Sequence, residues 1–93
     1  MLTLTRRIGE IIEFSDAYGP IAALVITEVK GEEAAVFTFT PMGEEAVRHE
    51  VALKGDAELC NGAGRMGSVR VTGLLGGVRA RLAFDFPREI GLK

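Results

Sequence analysis

The sequence predicts a mostly β protein built from two intrachain repeats, with at most one short helix. Three observations predict it. Apolar and polar residues alternate with strand period through much of the chain, and glycines or charged residues punctuate these runs at turn-like intervals. Laying the chain over itself at an offset of 46 aligns Gly9 with Gly55, Val25 with Val71, Gly31 with Gly77 and Pro41 with Pro87. Glycine and proline sit where backbone geometry is most demanding, so their recurrence points to duplication. The chain then reads as one domain over 1–93, with repeat one at about 1–46 and repeat two at about 47–93.

In the first repeat Leu2–Arg6, Glu10–Phe14, Ile21–Val29 and Glu33–Phe39 read as strands. Leu2 and Leu4 fall on one side of the first, Thr3 and Thr5 on the other. Phe14, Phe37, Phe39 and Phe84 follow strand period and are predicted core. Glu44–Lys54 is ambiguous. It is rich in helix formers and followed by Gly55 as a candidate C-cap, yet Ala46–His49 also suits a strand. Asn61–Gly64 reads as a mobile loop. In the second repeat Ser68–Leu74 and Val78–Asp85 are the clearest strands, joined by a Gly76-Gly77 hairpin turn. Val78, Ala80, Leu82 and Phe84 alternate with Arg79, Arg81, Ala83 and Asp85, which gives one buried and one wet face.

Composition narrows the function classes. The chain of 93 residues is 47% hydrophobic and 26% charged, an ordinary folded balance that argues against disorder. No apolar run approaches membrane-spanning length, and the N-terminus has strand character, so no signal peptide or membrane partner is expected. A single cysteine, Cys60, excludes an internal disulfide and fits a reducing cytoplasm. His49 and Cys60 lack metal-ligand spacing, and no nucleophile–base pair is visible, so neither a cofactor nor catalysis is expected. The net charge of -2 is unevenly spread. Residues 1–46 carry three Lys/Arg against eight Asp/Glu, and residues 47–93 carry eight against five. An acidic total can therefore hide a local anion site.

The opening MLTLTRRIGEIIEF resembles the start of the carbon storage regulator (CsrA) family of small bacterial RNA-binding proteins. Segment 71–93, VTGLLGGVRARLAFDFPREIGLK, is similar to that family's third, fourth and early fifth strands. The family's Ala-Pro-Lys/Arg-Glu-Val turn is matched by Phe86-Pro87-Arg88-Glu89-Ile90, and a weaker version lies in 25–51. The resemblance implies an antiparallel β-sheet or barrel assembly. Family members form intertwined homodimers, so resemblance and repeat together imply a fused pseudo-dimer in one chain, acting as a monomer or as a further homodimer. It also implies a translational regulator that holds GGA motifs of RNA loops between a first strand and a fifth strand.

Carried over by residue, Leu4, Thr5, Arg6 and Arg7 match the RNA-facing first strand, and Pro87, Arg88, Leu92 and Lys93 the facing segment. In the second repeat the first-strand positions fall on Glu50, Val51, Ala52 and Leu53, without arginine. Arg48 matches the fifth-strand arginine of the first repeat, while Lys93 lies one position before it in the second. One working RNA site and one vestigial site are expected. Read from the residues alone, Arg6-Arg7 also suits a solvated strand end. Arg70, Arg79 and Arg81 are read as decorating an exposed face, with a phosphate track as the alternative. Phe86 replaces a small alanine beside the recognised bases, so it either stacks on a base or blocks the pocket. A second class stays open: a degenerate relative that contacts a protein antagonist or a CsrA-type protein instead of RNA. The acidic first repeat and the arginine-poor second site favour it.

Overall fold

The computed structural model describes residues 2–93, and every element in them is a strand. They run β1 (Leu2–Arg7), β2 (Ile11–Asp16), β3 (Gly19–Lys30), β4 (Ala34–Pro41), β5 (Val47–Ala52), β6 (Asp56–Asn61), β7 (Gly64–Leu75), β8 (Arg79–Asp85) and β9 (Gly91–Leu92). Two antiparallel sheets result, one ordered β1-β8-β7-β6 and the other β5-β4-β3-β2-β9. The protein is mostly β, as the alternation predicts.

The sheets share one apolar core. Ile12, Phe14, Leu24, Ile26, Phe37 and Phe39 enter it from the five-stranded sheet, and Leu59, Val69, Val71, Leu82 and Phe84 from the other. All four predicted core phenylalanines are buried. Phe14 bridges the sheets, its ring edge-on to Phe39 at 5.4 Å and to Phe84 at 5.6 Å. Such edge-to-face pairs add about 0.5–1.5 kcal/mol each beyond burial of area.

Register reveals how the two halves relate. Leu2 faces Phe84 in the β1–β8 ladder, and Val47 faces Phe39 in the β4–β5 ladder. The halves therefore correspond at an offset of 45 (47 minus 2, 84 minus 39). The bulge after Phe14 recurs after Leu59, and the bulge after Ile26 recurs after Val71. Thr27 Oγ1 donates to the Val36 carbonyl, and Thr72 Oγ1 to that of Arg81, both at 3.2 Å. The strand correspondence is thus one residue shorter than the spacing of 46 that aligns the glycines and prolines. At the offset of 45 Gly31 falls on Gly76, both left-handed, whereas Gly9 falls on Lys54 and Pro41 on Phe86; the ladders fix this register, because a slip of one turns every core side chain outward.

The halves are interlaced, each supplying its first strand to the other's sheet. β1 pairs with β8, and β5 pairs with β4. At the corner after β1, the Gly9 amide donates to the Ile26 carbonyl, and at the matching corner the Lys54 amide donates to that of Val71. Both corners need a left-handed backbone, with φ of 89° at Gly9 and 68° at Lys54.

Three local expectations are corrected. Glu44–Lys54 is neither helix nor strand-then-helix. Its centre is β5, because pairing Val51 with Ala35 and stacking His49 on Phe37 outweigh a weak helical propensity. Asn61–Gly64 is a tight hairpin between β6 and β7 rather than a loose loop, with Asn61 Oδ1 accepting from the Ala63 amide at 2.8 Å. Val78, expected on the buried face, is 43% exposed at the turn that precedes β8.

Candidate nucleic-acid interface

β1 is the outer strand of its sheet, bonded on one side only. Its rungs set the direction of each side chain. Leu2, Leu4 and Arg6 face Phe84, Leu82 and Ala80, all buried, so this set points toward the sandwich interior. Thr3, Thr5 and Arg7 point outward on the other side of the sheet. Leu4 leans on the core and Arg6 is half-buried. Arg6 uses Nη1 to donate to the Thr5 carbonyl at 2.9 Å, which leaves the rest of its fork of donors open.

The paired arginines end the strand because a turn begins on Arg7. The Glu10 amide donates to the Arg7 carbonyl at 3.1 Å, and Glu10 Oε1 accepts from the Arg7 amide at 2.6 Å. The Gly-Glu pair therefore closes the corner and fixes Arg6 and Arg7 at the strand's end.

The opposite wall is the segment after β8. Pro87–Ile90 forms a turn, with the Ile90 amide donating to the Pro87 carbonyl at 3.1 Å. β9 then lies along β2, with Leu92 facing Phe14. Lys93 continues the pairing, exchanging backbone hydrogen bonds of 3.0 Å with Glu13 in both directions. Leu2, Phe84, Phe86, Pro87, Arg88, Ile90 and Leu92 line an open depression of about 250 Å³ between the ends of the two sheets.

The predicted site residues are only partly brought together. Pro87, Arg88 and Leu92 share the depression with Leu2, a residue outside the expected site set that strand alternation places on the same side as Leu4. Arg6 and Arg7 lie four and five residues further along β1, about 13–17 Å from Leu2 at the usual strand rise. They sit beyond the depression rather than in it.

Arg48 belongs elsewhere. It lies on β5 at the far edge of the five-stranded sheet, opposite Thr38. Its guanidinium is 3.5 Å from Glu50 Oε1, which Lys30 Nζ also approaches at 3.0 Å. The Lys30 hydrogen bond and charge hold the Glu50 carboxyl below its ordinary pKa, with Arg48 a smaller contributor. The expectation of a fifth strand bearing Arg48 beside a first strand at 50–53 is not met, because Val47–Ala52 is one strand.

That merger explains the unequal sheets. After β8 the chain turns and adds β9 to β2. After β4, residues 42–46 lead straight into β5, so the outer edge of β6 receives no strand. Glu44 Oε2 instead accepts from the Gly62 amide at 3.0 Å. At the offset of 45, Leu4, Thr5, Arg6 and Arg7 correspond to His49, Glu50, Val51 and Ala52, one position before the residues expected. His49 stacks on Phe37 with ring centroids 5.3 Å apart, and burial lowers its pKa.

Comparison with known protein families, characterised proteins and solved structures finds no match to this chain. Any function must therefore be argued from the site itself.

Phe86 packs against the core from the rim of the depression. Its ring lies 5.0 Å from that of Phe14 and covers Gly67, the position that corresponds to Ala22 in the first half. Pro41 corresponds to Phe86, so a large ring over glycine in one half replaces a proline over alanine in the other. The ring is half-buried against the core and also lines the depression.

Proposed function

We propose that this chain is an RNA-binding post-transcriptional regulator of the carbon storage regulator type. It recognises GGA-containing single-stranded or hairpin-loop RNA through one site, along the β1 edge and the depression that Leu2 and Leu92 both line. The observation that carries this reading is the asymmetry of the two ends. One side combines an unpaired β1 edge with an open depression walled by Pro87, Arg88 and Leu92 at the start of that strand and the cations Arg6 and Arg7 at its far end. The other offers β5 alone, with Arg48 engaged by Glu50.

The chemistry suits unpaired guanines. Their carbonyl and ring-nitrogen acceptors and amino donors match the free backbone groups of an edge strand, while arginines neutralise nearby phosphates. Regulation acts by occupancy of a messenger RNA in the cytoplasm, so no bond is made or broken and no cofactor is required.

The test is binding of a GGA-loop hairpin against a loop-substituted control at two salt concentrations. Arg6→Ala is expected to weaken GGA-dependent binding about tenfold, the loss of one charge-assisted contact of roughly 1.5 kcal/mol. Arg48→Ala is expected to leave it unchanged. An RNA carrying two GGA motifs should bind at one site per chain, and two equivalent sites would sink the proposal.

A second reading rests on a specific observation, the Phe86 ring packed on Phe14 in the wall of the depression, where the family resemblance has alanine. On that reading the edge contacts a protein antagonist or a CsrA-type protein. Absence of any GGA preference at either salt concentration favours it.

A further inference from the structure

The outward face of the four-stranded sheet has a feature that the fold does not require. Arg7 and Arg79 stand directly opposite each other on β1 and β8, and Arg81 stands two residues on, opposite Thr5. Like charges placed directly across a ladder destabilise it. Among the described residues none of the three has a carboxylate within salt-bridge distance, whereas Arg48, Arg65 and Arg70 each do. The one carboxylate at this corner, Glu10, is engaged by the Arg7 backbone amide. On β7, Leu75 lies opposite Arg79 and Gly73 opposite Arg81. A Cβ at Gly73 would lie 3.5 Å from Arg81 Cβ and 3.7 Å from its Nη1, so the Arg81 side chain covers the space the glycine leaves.

The molecule contains its own control. At the offset of 45, the six positions Arg7, Arg79, Arg81, Thr5, Gly73 and Leu75 correspond to Ala52, Ala34, Val36, Glu50, Glu28 and Lys30, in ladders of identical register. The first set carries three positive charges. The second carries one positive and two negative charges, and Glu50 is paired with Lys30. The same backbone is therefore built without a single arginine at these positions. Packing does not account for the cationic set, and its like-charge rung is retained at a cost.

We infer that this face is a phosphate track for single-stranded RNA that flanks the recognised loop. The inference rests on the RNA reading above and extends it beyond the β1/β9 edge. Arg79 and Arg81 are separated by about 6.7 Å along β8, close to the spacing of successive phosphates on an extended strand. Arg7 links track and edge, since it neighbours Arg6 on β1 but points to the outward face. The opposite corner of the same face bears Asp85 together with Asp56 and Glu58, which are ion-paired to Arg70 and Arg65, so on this face the arginines without a carboxylate partner are confined to the β1–β8 corner.

The experiment compares a GGA hairpin with the same hairpin carrying a single-stranded uridine tail at either end, from 50 to 200 mM salt. For the parent chain, the tailed RNA should lose affinity more steeply with salt. In an Arg79→Ala/Arg81→Ala variant the slope for tailed RNA should fall by about 1.4, two contacts at roughly 0.7 each. The short hairpin should be unaffected. Over this salt range the parent's tailed complex should weaken about sevenfold more than the variant's.

An Arg79→Glu variant separates binding from folding. It replaces the repulsive rung with an attractive one, so its melting temperature should hold or rise while tail binding is lost. Equal slopes for parent and double variant overturn the inference and leave GGA recognition standing. A slope that depends on Arg79 and Arg81 with no GGA preference upholds the track and overturns base recognition. Polyglutamate binding as tightly as tailed RNA overturns the inference in favour of an acidic protein.

Discussion

Replacing Gly67 with alanine should be among the most damaging single-methyl changes in this core. The new Cβ would lie 2.6 Å from two ring carbons of Phe86 and 2.7 Å from the Asp85 carbonyl oxygen. To reach an ordinary contact of 3.4 Å, the ring must retreat by about 0.8 Å. That retreat opens its contact with Phe14, 5.0 Å away between centroids. The carbonyl cannot retreat as cheaply, because Asp85 is held in the β7–β8 ladder opposite Ser68. Overpacking of this kind costs about 1–3 kcal/mol, and a backbone contact places Gly67→Ala in the upper half of that range. The stiffer unfolded chain returns only about 0.4–1 kcal/mol. A net loss of about 2 kcal/mol lowers the melting temperature of a domain this size by roughly 8–16 °C. Thermal and urea unfolding followed by circular dichroism give both numbers, with the urea slope expected to be unchanged. Phe86→Ala should rescue part of the loss, so that the double variant shows a coupling of at least about 1 kcal/mol. Ala22→Gly, at the corresponding position, should cost no more than about 1 kcal/mol. A Gly67→Ala chain that melts within 2 °C (roughly 0.5 kcal/mol) of the parent would refute the packing of Phe86 over Gly67.

Further outcomes follow from the corners and from β5. Lys54 holds a left-handed φ of 68°, so Lys54→Gly should stabilise by up to about 1 kcal/mol, and the β-branched Lys54→Val should destabilise by more than that. Indistinguishable unfolding curves for the two variants would show that the corner does not need this conformation. Burial lowers the His49 pKa below 6.5, so the folded state prefers the neutral ring. The unfolded chain binds more protons just below that value; the stability from His49 is complete above it and is lost as pH falls through the folded-state pKa. His49→Phe should flatten the fall in melting temperature between about pH 7 and 5, where Glu50, titrating lower still, contributes little. Thr27→Val and Thr72→Val each remove one hydroxyl-to-carbonyl bond, so each should cost about 0.5–1 kcal/mol, and nearly the same amount. Clearly unequal losses would count against equivalence of the two halves.

The strands most legible in the sequence were those with one wet and one buried face. Alternation through 78–85 names Ala80, Leu82 and Phe84 as buried, and all three are, but Ala83, assigned to the wet face, is buried as well. β6 was missed, since Asp56–Asn61 buries only Leu59 fully and its partly covered Ala57 gives little apolar signal. β5 was ambiguous for a different reason. Glu, Ala, Arg and Lys favour helix locally, and only pairing across the halves with β4 selects a strand. At the candidate site, Leu4–Arg7 and Pro87–Leu92 were readable as separate segments. Their relation in space was not, because it depends on β1 joining β8 and β9 joining β2. Arg48 is out of place for the same reason: the spacing of turn residues suggests two strands where one continuous ladder, Val47–Ala52, exists.

The exchange of first strands between the halves also has a consequence in time. Leu2 leaves the ribosome 82 positions ahead of its partner, Phe84 (84 minus 2). At about 5–20 residues per second, β1 waits roughly 4–16 s before its half of the ladder exists. During that interval β2, β3 and β4 can already pair as neighbouring hairpins. The strand carrying Arg6 and Arg7 is then the last element of the first half to be secured. Folding dominated by so distant a pairing is slow, since the entropy of closing the chain is lost before the contact is gained. A nascent chain stalled before β8 would present an unpaired β1 whose matching ladder could be completed only by another molecule.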